Sequence, residues 1–251
     1  MTPPIPPALS SSGTTTPGVT VPATPAEAVC GPEHALYAFD VLAAHFEGRK
    51  PVPPPFANAK DKFALFVTWN TVRGGRKPSL RGCIGNFTPM RLDKGLAEYA
   101  LVAALEDHRF TAIRAAELPS LSVGVSLLTP FTPVATPLSW TPGVHGIHIT
   151  FPHPSTGRSL NATYLPDVIP EQGWTREEAV KSLIAKAGYR GAVEVGDAVW
   201  ESIRMKVYEG VKAKASYDEY TAWAKGVGGG VGGPLADAVD NKGHASASPW
   251  S

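Results

Sequence analysis

The chain has 251 residues, of which 43% are hydrophobic, and this size and composition fit one globular domain with a sizeable core. Its 23 Lys and Arg residues balance 22 Asp and Glu residues, so no strong positive field exists to collect nucleic-acid phosphates. Two cysteines are too few for a disulfide framework, and no apolar run is long enough to span a bilayer. We therefore expect a cytoplasmic or nuclear protein that does not bind a membrane and does not have nucleic acid as its main partner.

The two ends of the chain lack the pattern of a packed structure. Residues 1–28 are rich in Pro, Thr, Ser and Ala, and residues 225–251 begin with a glycine-rich run. Such segments bury too little apolar surface to offset the entropy lost on ordering, so we predict two disordered tails. The folded domain is then predicted over residues 29–224.

The first elements predicted along the chain are a helix and a β-hairpin. Pro32 suits a first helical turn, and the apolar residues after it recur at helical spacing up to Gly48. Residues 63–69 alternate in the pattern of a strand with one apolar face. Across a turn at residues 73–76, residues 80–87 form the partner strand.

The rest of the domain mixes helices and strands. Thr88 and Pro89 match the start of a second helix, and Thr175 and Glu178 form a capping box at the start of a later one. Further strands are expected at residues 121–128, 144–151, 159–165 and 200–208. Because strands and helices neither alternate strictly nor segregate, the sequence predicts an α+β fold with a mainly antiparallel sheet and packed helices.

The strongest local feature is the Leu-Arg-Gly-Cys-Ile-Gly motif at residues 80–85. Gly82 and Gly85 within a strand cost packing and entropy, which indicates close approach by another backbone or a ligand. Cys83 lies between them. It is a candidate nucleophile if Arg81 contacts it and favours the thiolate, and a small buried hydrophobe if it does not.

A thiol nucleophile needs a base, and the histidines available in the predicted domain are His108, His145, His148 and His153, none of which is fixed by spacing. If residues 144–151 form a strand, His145 and His148 lie on opposite faces and cannot ligate one ion, so we predict no metal and no other cofactor. For Asp107 and Arg109, which follow the second helix, an ion pair or a cap on neighbouring backbone is the favoured interpretation.

The motif at residues 80–85, together with residues 143–147, 162–166 and 171–174, resembles the AMMECR domain family. The likeness covers nearly the whole predicted domain in order. It implies two unequal lobes with a cleft between them, but no established reaction. Asn86 departs from the threonine or serine expected there, which puts in doubt any role of a hydroxyl at that position.

The resemblance also carries site residues over to this sequence. The ligand-binding candidates are Arg81, Gly82, Gly85, Asp107, Arg109, Thr163 and Tyr164, and the catalytic candidates are Cys83 and His145. Microbial members are associated with a Memo-like protein and a radical-SAM protein, which suggests a modification pathway.

Two functional classes follow. The first is a binding or adaptor module whose cleft takes a protein partner or a small-molecule ligand. The alternative is a cysteine-dependent enzyme, with Cys83 as nucleophile, His145 as proton shuttle and Arg81 or Arg109 holding an anion. The first is favoured because the sequence fixes no set of acid, base and metal. A Cys83 sulfur exposed in a concave pocket near a base would favour the second.

Overall fold

The computed structural model describes residues 29–74 and 76–227, which form two antiparallel four-stranded sheets with helices packed against them. This confirms the α+β class. The tails predicted at residues 1–28 and 225–251 lie outside the described residues, except that the last helix includes residues 225–227. No helix in the described ranges has the length and apolar character needed to cross a membrane.

In chain order, the elements are α1 (Pro32–Glu47), β1 (Lys62–Thr71), β2 (Ser79–Arg91), α2 (Leu92–Leu105), a 3-10 helix (Ala115–Ser120), β3 (Leu121–Leu128), β4 (Thr132–Pro133), β5 (Gly146–Pro152), β6 (Ser159–Tyr164), α3 (Val168–Gln172), α4 (Arg176–Lys186), α5 (Ala198–Glu201), β7 (Arg204–Tyr208), β8 (Gly210–Ser216) and α6 (Tyr217–Val227). The first sheet has the strand order β2-β1-β3-β8, and the second has β4-β7-β5-β6.

The first lobe packs α1, α2 and α6 against one face of the first sheet. Helix α1 is buried around most of its circumference, and Gly48 ends it in the left-handed conformation with φ 66°. The buried carboxylate of Asp40 on α1 accepts hydrogen bonds from Arg49 Nη2 at 2.6 Å and Tyr220 Oη at 3.1 Å. These bonds tie the last helix to the first, and burial raises the pKa of Tyr220.

The second lobe has its own, smaller core between the second sheet and α4. Helix α4 contributes four buried residues to this core: Ala179, Val180, Leu183 and Ile184. The predicted capping box is confirmed, because Thr175 Oγ1 accepts from Glu178 N at 3.2 Å and Glu178 Oε2 accepts from Thr175 N at 2.8 Å.

The lobes are joined where the chain crosses between the two sheets. It crosses once between β3 and β4 and again between β7 and β8, and the crossings are hydrogen-bonded together. Thr129 N donates to Glu209 O at 2.9 Å, and Glu209 N donates to Thr129 Oγ1 at 2.8 Å. A small cluster of Ala64, Leu128 and Tyr208 packs at this junction. The two lobes implied by the family resemblance are therefore present.

The helix start predicted at Thr88 and Pro89 is wrong. Strand β2 continues to Arg91, and α2 begins at Leu92, whose N–H donates to Asp61 O at 2.9 Å. Strand β2 is the edge of its sheet, and a proline, which has no N–H, is tolerated on an edge strand. The capping signal is read from adjacent residues, whereas the edge position of β2 depends on strands that are distant in the sequence. The sequence pattern therefore could not show that Pro89 lies on an edge strand.

The strand predicted at residues 200–208 is also too long. Trp200 belongs to the one-turn helix α5, and Ile203 N donates to Trp200 O in the turn that follows. Only Arg204–Tyr208 pairs in the second sheet. Ile203, Met205 and Val207 are buried at alternate positions, as in a strand, whereas Trp200 is buried three residues before Ile203, which is the spacing of a helical turn.

The cap of α4 gives a direct test of the fold. Thr175→Ala removes an acceptor for the N–H of Glu178, and the free energy of unfolding should fall by about 1 kcal/mol. Thr141→Ala is the control, because Thr141 is exposed and its hydroxyl has no hydrogen-bond partner within the described ranges. Denaturant unfolding of both variants should show a loss for Thr175→Ala alone, and equal stability would contradict the cap.

Candidate functional site

The first sheet has one face covered by helices and one face that opens toward the second lobe. On β1, Leu65, Val67 and Trp69 are fully buried against the helices. The intervening residues Phe66 and Thr68 point to the opposite face, because side chains alternate along a strand. Between this open face and the second lobe lies a cavity of about 550 Å³.

Two rows of paired residues cross the sheet and form the cavity floor. Directly paired residues on antiparallel strands share a face, so each row is a line of neighbouring side chains. The first row is Cys83, Thr68, Gly124 and Lys214. The second row is Gly85, Phe66, Ser126 and Lys212. All of these except Gly85 line the cavity.

The opposite wall comes from the second lobe. It consists of Leu165, Pro166, Asp167, Val168 and Glu171, from the end of β6 and from α3. Lys212 Nζ pairs with the Asp167 carboxylate, so one ion pair connects the floor with the wall. The cavity is therefore a cleft between the lobes, as the family resemblance implies.

Cys83 is half-buried, and its sulfur lies 3.1 Å from Thr68 Oγ1. Because the residue lines the cavity, the interpretation of Cys83 as a sealed core hydrophobe is wrong. The only side chain in hydrogen-bond contact with the sulfur, among those described, is the Thr68 hydroxyl. A hydroxyl of that kind is a poor proton acceptor at neutral pH.

The backbone of Cys83 is held by Asp107 and Arg109. Asp107 Oδ2 accepts from Cys83 N at 2.8 Å, and Arg109 Nη2 donates to Cys83 O at 3.0 Å. The two side chains also pair, with Arg109 Nε at 2.9 Å from Asp107 Oδ1. Both expected roles, an ion pair and a backbone cap, are present. The Arg109 guanidinium, with support from the Cys83 N–H, lowers the pKa of Asp107.

Both glycines of the motif face the backbone of another segment. A Cβ on Gly82 would overlap the carbonyl oxygen of Ala103 on α2, and a Cβ on Gly85 would overlap that of Leu65 on β1. The close approach predicted from the motif therefore involves backbone. At Gly82 it brings β2 against α2, while Cys83, the next residue, faces the cavity on the other side of the sheet.

Arg81 points away from the cavity. Its Nε and Nη2 donate to Glu117 at 3.0 and 3.2 Å, and its other hydrogen bonds go to the carbonyls of Thr111 and Ala112 at 2.6 and 3.3 Å. These bonds fasten residues 111–117 along the outer side of β2. The guanidinium is occupied by protein groups and does not line the cavity.

His145 does not line the cavity either. It precedes β5 in a turn, where its Nδ1 accepts from Thr141 N at 3.0 Å, and its Nε2 lies 3.9 Å from a Glu209 carboxylate oxygen. The structure therefore does not bring the two catalytic candidates, Cys83 and His145, into hydrogen-bond contact. Across residues 29–74 and 76–227, no three His, Cys, Asp or Glu side chains gather as a metal-binding group.

Thr163 and Tyr164 line a second cavity of about 430 Å³, which adjoins the first and shares Phe66 with it. Thr163 Oγ1 lies 2.9 Å from Tyr208 Oη. Lys186 Nζ donates to Thr163 O at 3.0 Å and lies 4.4 Å from the centre of the Tyr164 ring. Burial lowers the pKa of Lys186.

Sequence reasoning missed several residues that line the main cavity: Thr68, Asn70, Ser126, Glu171, Lys212 and Lys214. Strand β8 carried a usable signal, since Lys212 and Lys214 alternate with Val211, Ala213 and Ala215. That pattern predicts a strand with one apolar face and one basic face. The pairing of β8 with β3, which brings the lysines to the cleft, is a long-range contact without a local signal.

Comparisons with known proteins agree with this geometry. Residues 35–213 match the AMMECR1 family. This chain belongs to that family. An uncharacterized protein of Arabidopsis thaliana is 41% identical over 215 residues, which cover 86% of this chain and 97% of that protein. An uncharacterized protein of Saccharomyces cerevisiae is 34% identical over 223 residues, which cover 77% and 89%.

A crystal structure of an uncharacterized protein from Pyrococcus horikoshii has the same fold. The two structures superpose with a TM-score of 0.57 and 24% sequence identity, over 73% of this chain and 90% of the archaeal chain. The two-lobed architecture of this AMMECR1-family chain is thus also found in an experimental structure.

Two glycines of the first sheet give a matched test of close approach. Gly82→Ala places a Cβ on the Ala103 carbonyl and should lower the free energy of unfolding by about 1–3 kcal/mol. Gly124→Ala meets no atom closer than 3.9 Å and should be neutral or stabilising by up to about 1 kcal/mol. Denaturant unfolding checks both, and similar values for the two variants would refute the contact with α2.

The Asp107 carboxylate gives a pH-dependent test. Its pKa is lowered in the folded protein, so its contribution to stability is present above the unfolded pKa of about 3.9 and is lost as the pH falls below it. Asp107→Asn should lower the free energy of unfolding by about 1.5–3 kcal/mol at pH 7. The gap in this free energy between the variant and the wild type should narrow below about pH 4. Urea unfolding at several pH values measures the gap, and a constant gap would contradict the ionic role.

Proposed function

We propose that this AMMECR1-family protein is a binding or adaptor module whose ligand occupies the cleft between the two lobes. The observation that carries the proposal is the composition of the cleft around Cys83. The thiol opens onto a cavity of about 550 Å³, but hydroxyl, amide and lysine side chains surround it, and no histidine of the described ranges lines that cavity. Such a surface offers contacts for recognition, and none of its ionisable side chains is in hydrogen-bond contact with the thiol within the described ranges.

Asp107, Arg81 and Asp167 are already engaged with other protein groups. Asp107 accepts hydrogen bonds from the backbone of Cys83 and from Arg109, so its oxygens are poorly placed to take the thiol proton. Arg81 is bound to Glu117. Asp167, on the opposite wall, is paired with Lys212. A nucleophile activated by a neighbouring base is therefore less well supported than a binding surface.

The size and lining of the cleft suit a ligand. Ligand sites typically measure about 300–1,000 Å³ and combine apolar walls with a few convergent polar groups. Here Phe66 and Leu165 supply apolar surface, and Thr68, Asn70 and Ser126 supply hydrogen-bonding groups. A small molecule fits these dimensions, and so does the side chain of a partner protein.

The cysteine-dependent enzyme remains the second candidate because Cys83 is half-buried and lines a concave site beside Arg109. In an enzyme the Cys83 sulfur attacks the ligand, whereas in a binding module the sulfur only contacts the ligand. Replacing the sulfur by oxygen separates the two roles.

The two candidates differ for Cys83→Ser. The serine hydroxyl has Thr68 Oγ1 as a hydrogen-bond partner, so the variant should fold, and a binding module should retain its ligand. Gly124→Phe should lose the ligand, because the ring would fill the cavity above a position that has room for a Cβ. The measurement is mass spectrometry of molecules released on denaturation from each protein purified from cells, with melting temperatures as the folding control.

The outcomes separate the candidates. Ligand kept by Cys83→Ser and lost by folded Gly124→Phe supports the binding module. A folded Cys83→Ser protein that instead accumulates an intact ligand, where the wild type holds a converted or covalently attached one, supports the enzyme. Equal recovery from the wild type and Gly124→Phe would show that the ligand lies elsewhere.

A further inference from the structure

The charges that line the cleft are mostly compensated within the protein. Arg109 is paired with Asp107, and Lys212 is paired with Asp167. These two pairs leave no net charge to attract a ligand of either sign. The electrostatic preference of the cleft therefore depends on the lining groups that have no such partner.

Two charged groups remain, and they have opposite signs. Lys214 on β8 and Glu171 on α3 both line the cavity, and neither forms an ion pair or a side-chain hydrogen bond within the described ranges. Lys214 belongs to the floor of the first lobe, whereas Glu171 belongs to the wall of the second lobe. The cleft thus presents one uncompensated cation and one uncompensated anion from opposite sides.

The side chain of Lys214 lies beside Gly124 in the first row of the floor. Its Cγ lies 3.9 Å from where a Cβ on Gly124 would be, so the stem passes over a residue that has no side chain. A side chain larger than that of alanine at position 124 would compete for this space. Gly124 thereby leaves room for the stem of Lys214 in the row that also contains Thr68 and Cys83.

We propose that the cleft ligand is a small zwitterion of the amino-acid class, with its carboxylate at Lys214 and its ammonium group at Glu171. This inference rests on the proposed binding function. A purely anionic ligand would be attracted to Lys214 but repelled by Glu171. A purely cationic ligand would be attracted to Glu171 but repelled by Lys214. Only a ligand with both charges satisfies both groups.

The apolar part of the cleft indicates the rest of the ligand. Phe66 lies in the second row of the floor, and its ring packs edge-on against Phe87 with centroids 4.9 Å apart. Leu165 and Val168 face it from the wall. An amino acid with an aromatic or large aliphatic side chain fills this region while its charged groups reach Lys214 and Glu171.

The test uses phenylalanine as the probe, with two derivatives that each remove one charge. Acetylation of the amine leaves an anion, and the methyl ester of the carboxyl leaves a cation. Ligand-observed NMR titration of the full-length protein should show phenylalanine binding at least about tenfold more tightly than either derivative, since each loses one charge-assisted hydrogen bond. The dipeptide phenylalanylglycine, whose charges lie farther apart, distinguishes a free amino acid from a short peptide.

Matched variants assign the two contacts. Lys214→Gln should remove the preference for phenylalanine over its ester, and Glu171→Gln should remove the preference over the N-acetyl derivative. Lys206→Gln and Glu106→Gln are controls, because both residues are exposed and neither lines the cavity, and they should leave all affinities unchanged.

Two results would overturn the zwitterion. They are equal affinity of phenylalanine and its singly charged derivatives, and no binding of any probe at millimolar concentration. If the cellular ligand is nevertheless lost from folded Gly124→Phe, the cleft remains the binding site and only its proposed ligand class is wrong. Phenylalanine binding that Gly124→Phe leaves unchanged would place the probe outside the cleft and overturn the inference.

Discussion

Strand β2 is the outer strand of its sheet, so half of its backbone polar groups have no neighbouring strand to pair with. At Cys83 these groups are bound by side chains, since Asp107 accepts from the N–H and Arg109 donates to the C=O. The Asp107–Arg109 pair satisfies the backbone N–H and C=O of Cys83, as a neighbouring strand would. It therefore prevents another strand from pairing with β2 at that residue. The rest of the cleft depends on this contact, because it fixes the strand that carries the first residue of the floor.

The same contact explains the composition of the Leu-Arg-Gly-Cys-Ile-Gly motif. Gly82 lets β2 approach the backbone of α2, which brings the segment after α2 close enough for Asp107 to reach Cys83. Arg81 then fastens the following segment through Glu117. Arg81, Gly82 and Gly85 therefore hold neighbouring backbone in place. Cys83 is the residue between them that lines the cavity. Most of the motif is explained without any chemistry at the thiol.

Sequence patterns predicted the features that depend on local order. The alternation of residues 63–69 identified which side of β1 faces the core, and the glycines of the motif indicated a close backbone approach. The two lobes followed from the family resemblance, because no local pattern shows where one sheet ends and another begins. Patterns failed where a local signal competed with a long-range one, as at Thr88 and Pro89, where the edge position of β2 permits a proline that otherwise suggests a helix start.

The residues of the candidate site divide in the same way, into those that a sequence motif indicates and those that only long-range contacts bring to the cleft. Cys83 was found because it lies in a distinctive motif, and Arg109 was carried over from the family resemblance. Lys214 has no such signal, and it shares a cleft with Glu171 only through the pairing of β8 with β3 and the placement of α3. The placement of α3 opposite the first sheet depends on the contacts that join the two lobes. The lobes have separate cores, and the contacts between them are the small cluster at Tyr208, the crossings at Thr129 and Glu209, and the Lys212–Asp167 pair.

A ligand that touches both walls of the cleft adds a further link between the two cores. Its binding energy then favours the arrangement of lobes that places Lys214 opposite Glu171, since a ligand stabilises whichever state it contacts best. In a binding module without a fixed base, this coupling of ligand to lobe arrangement is a means by which occupancy can be presented to a partner protein. The chemistry of the thiol is not needed for that role, whereas the backbone contacts at Cys83 are.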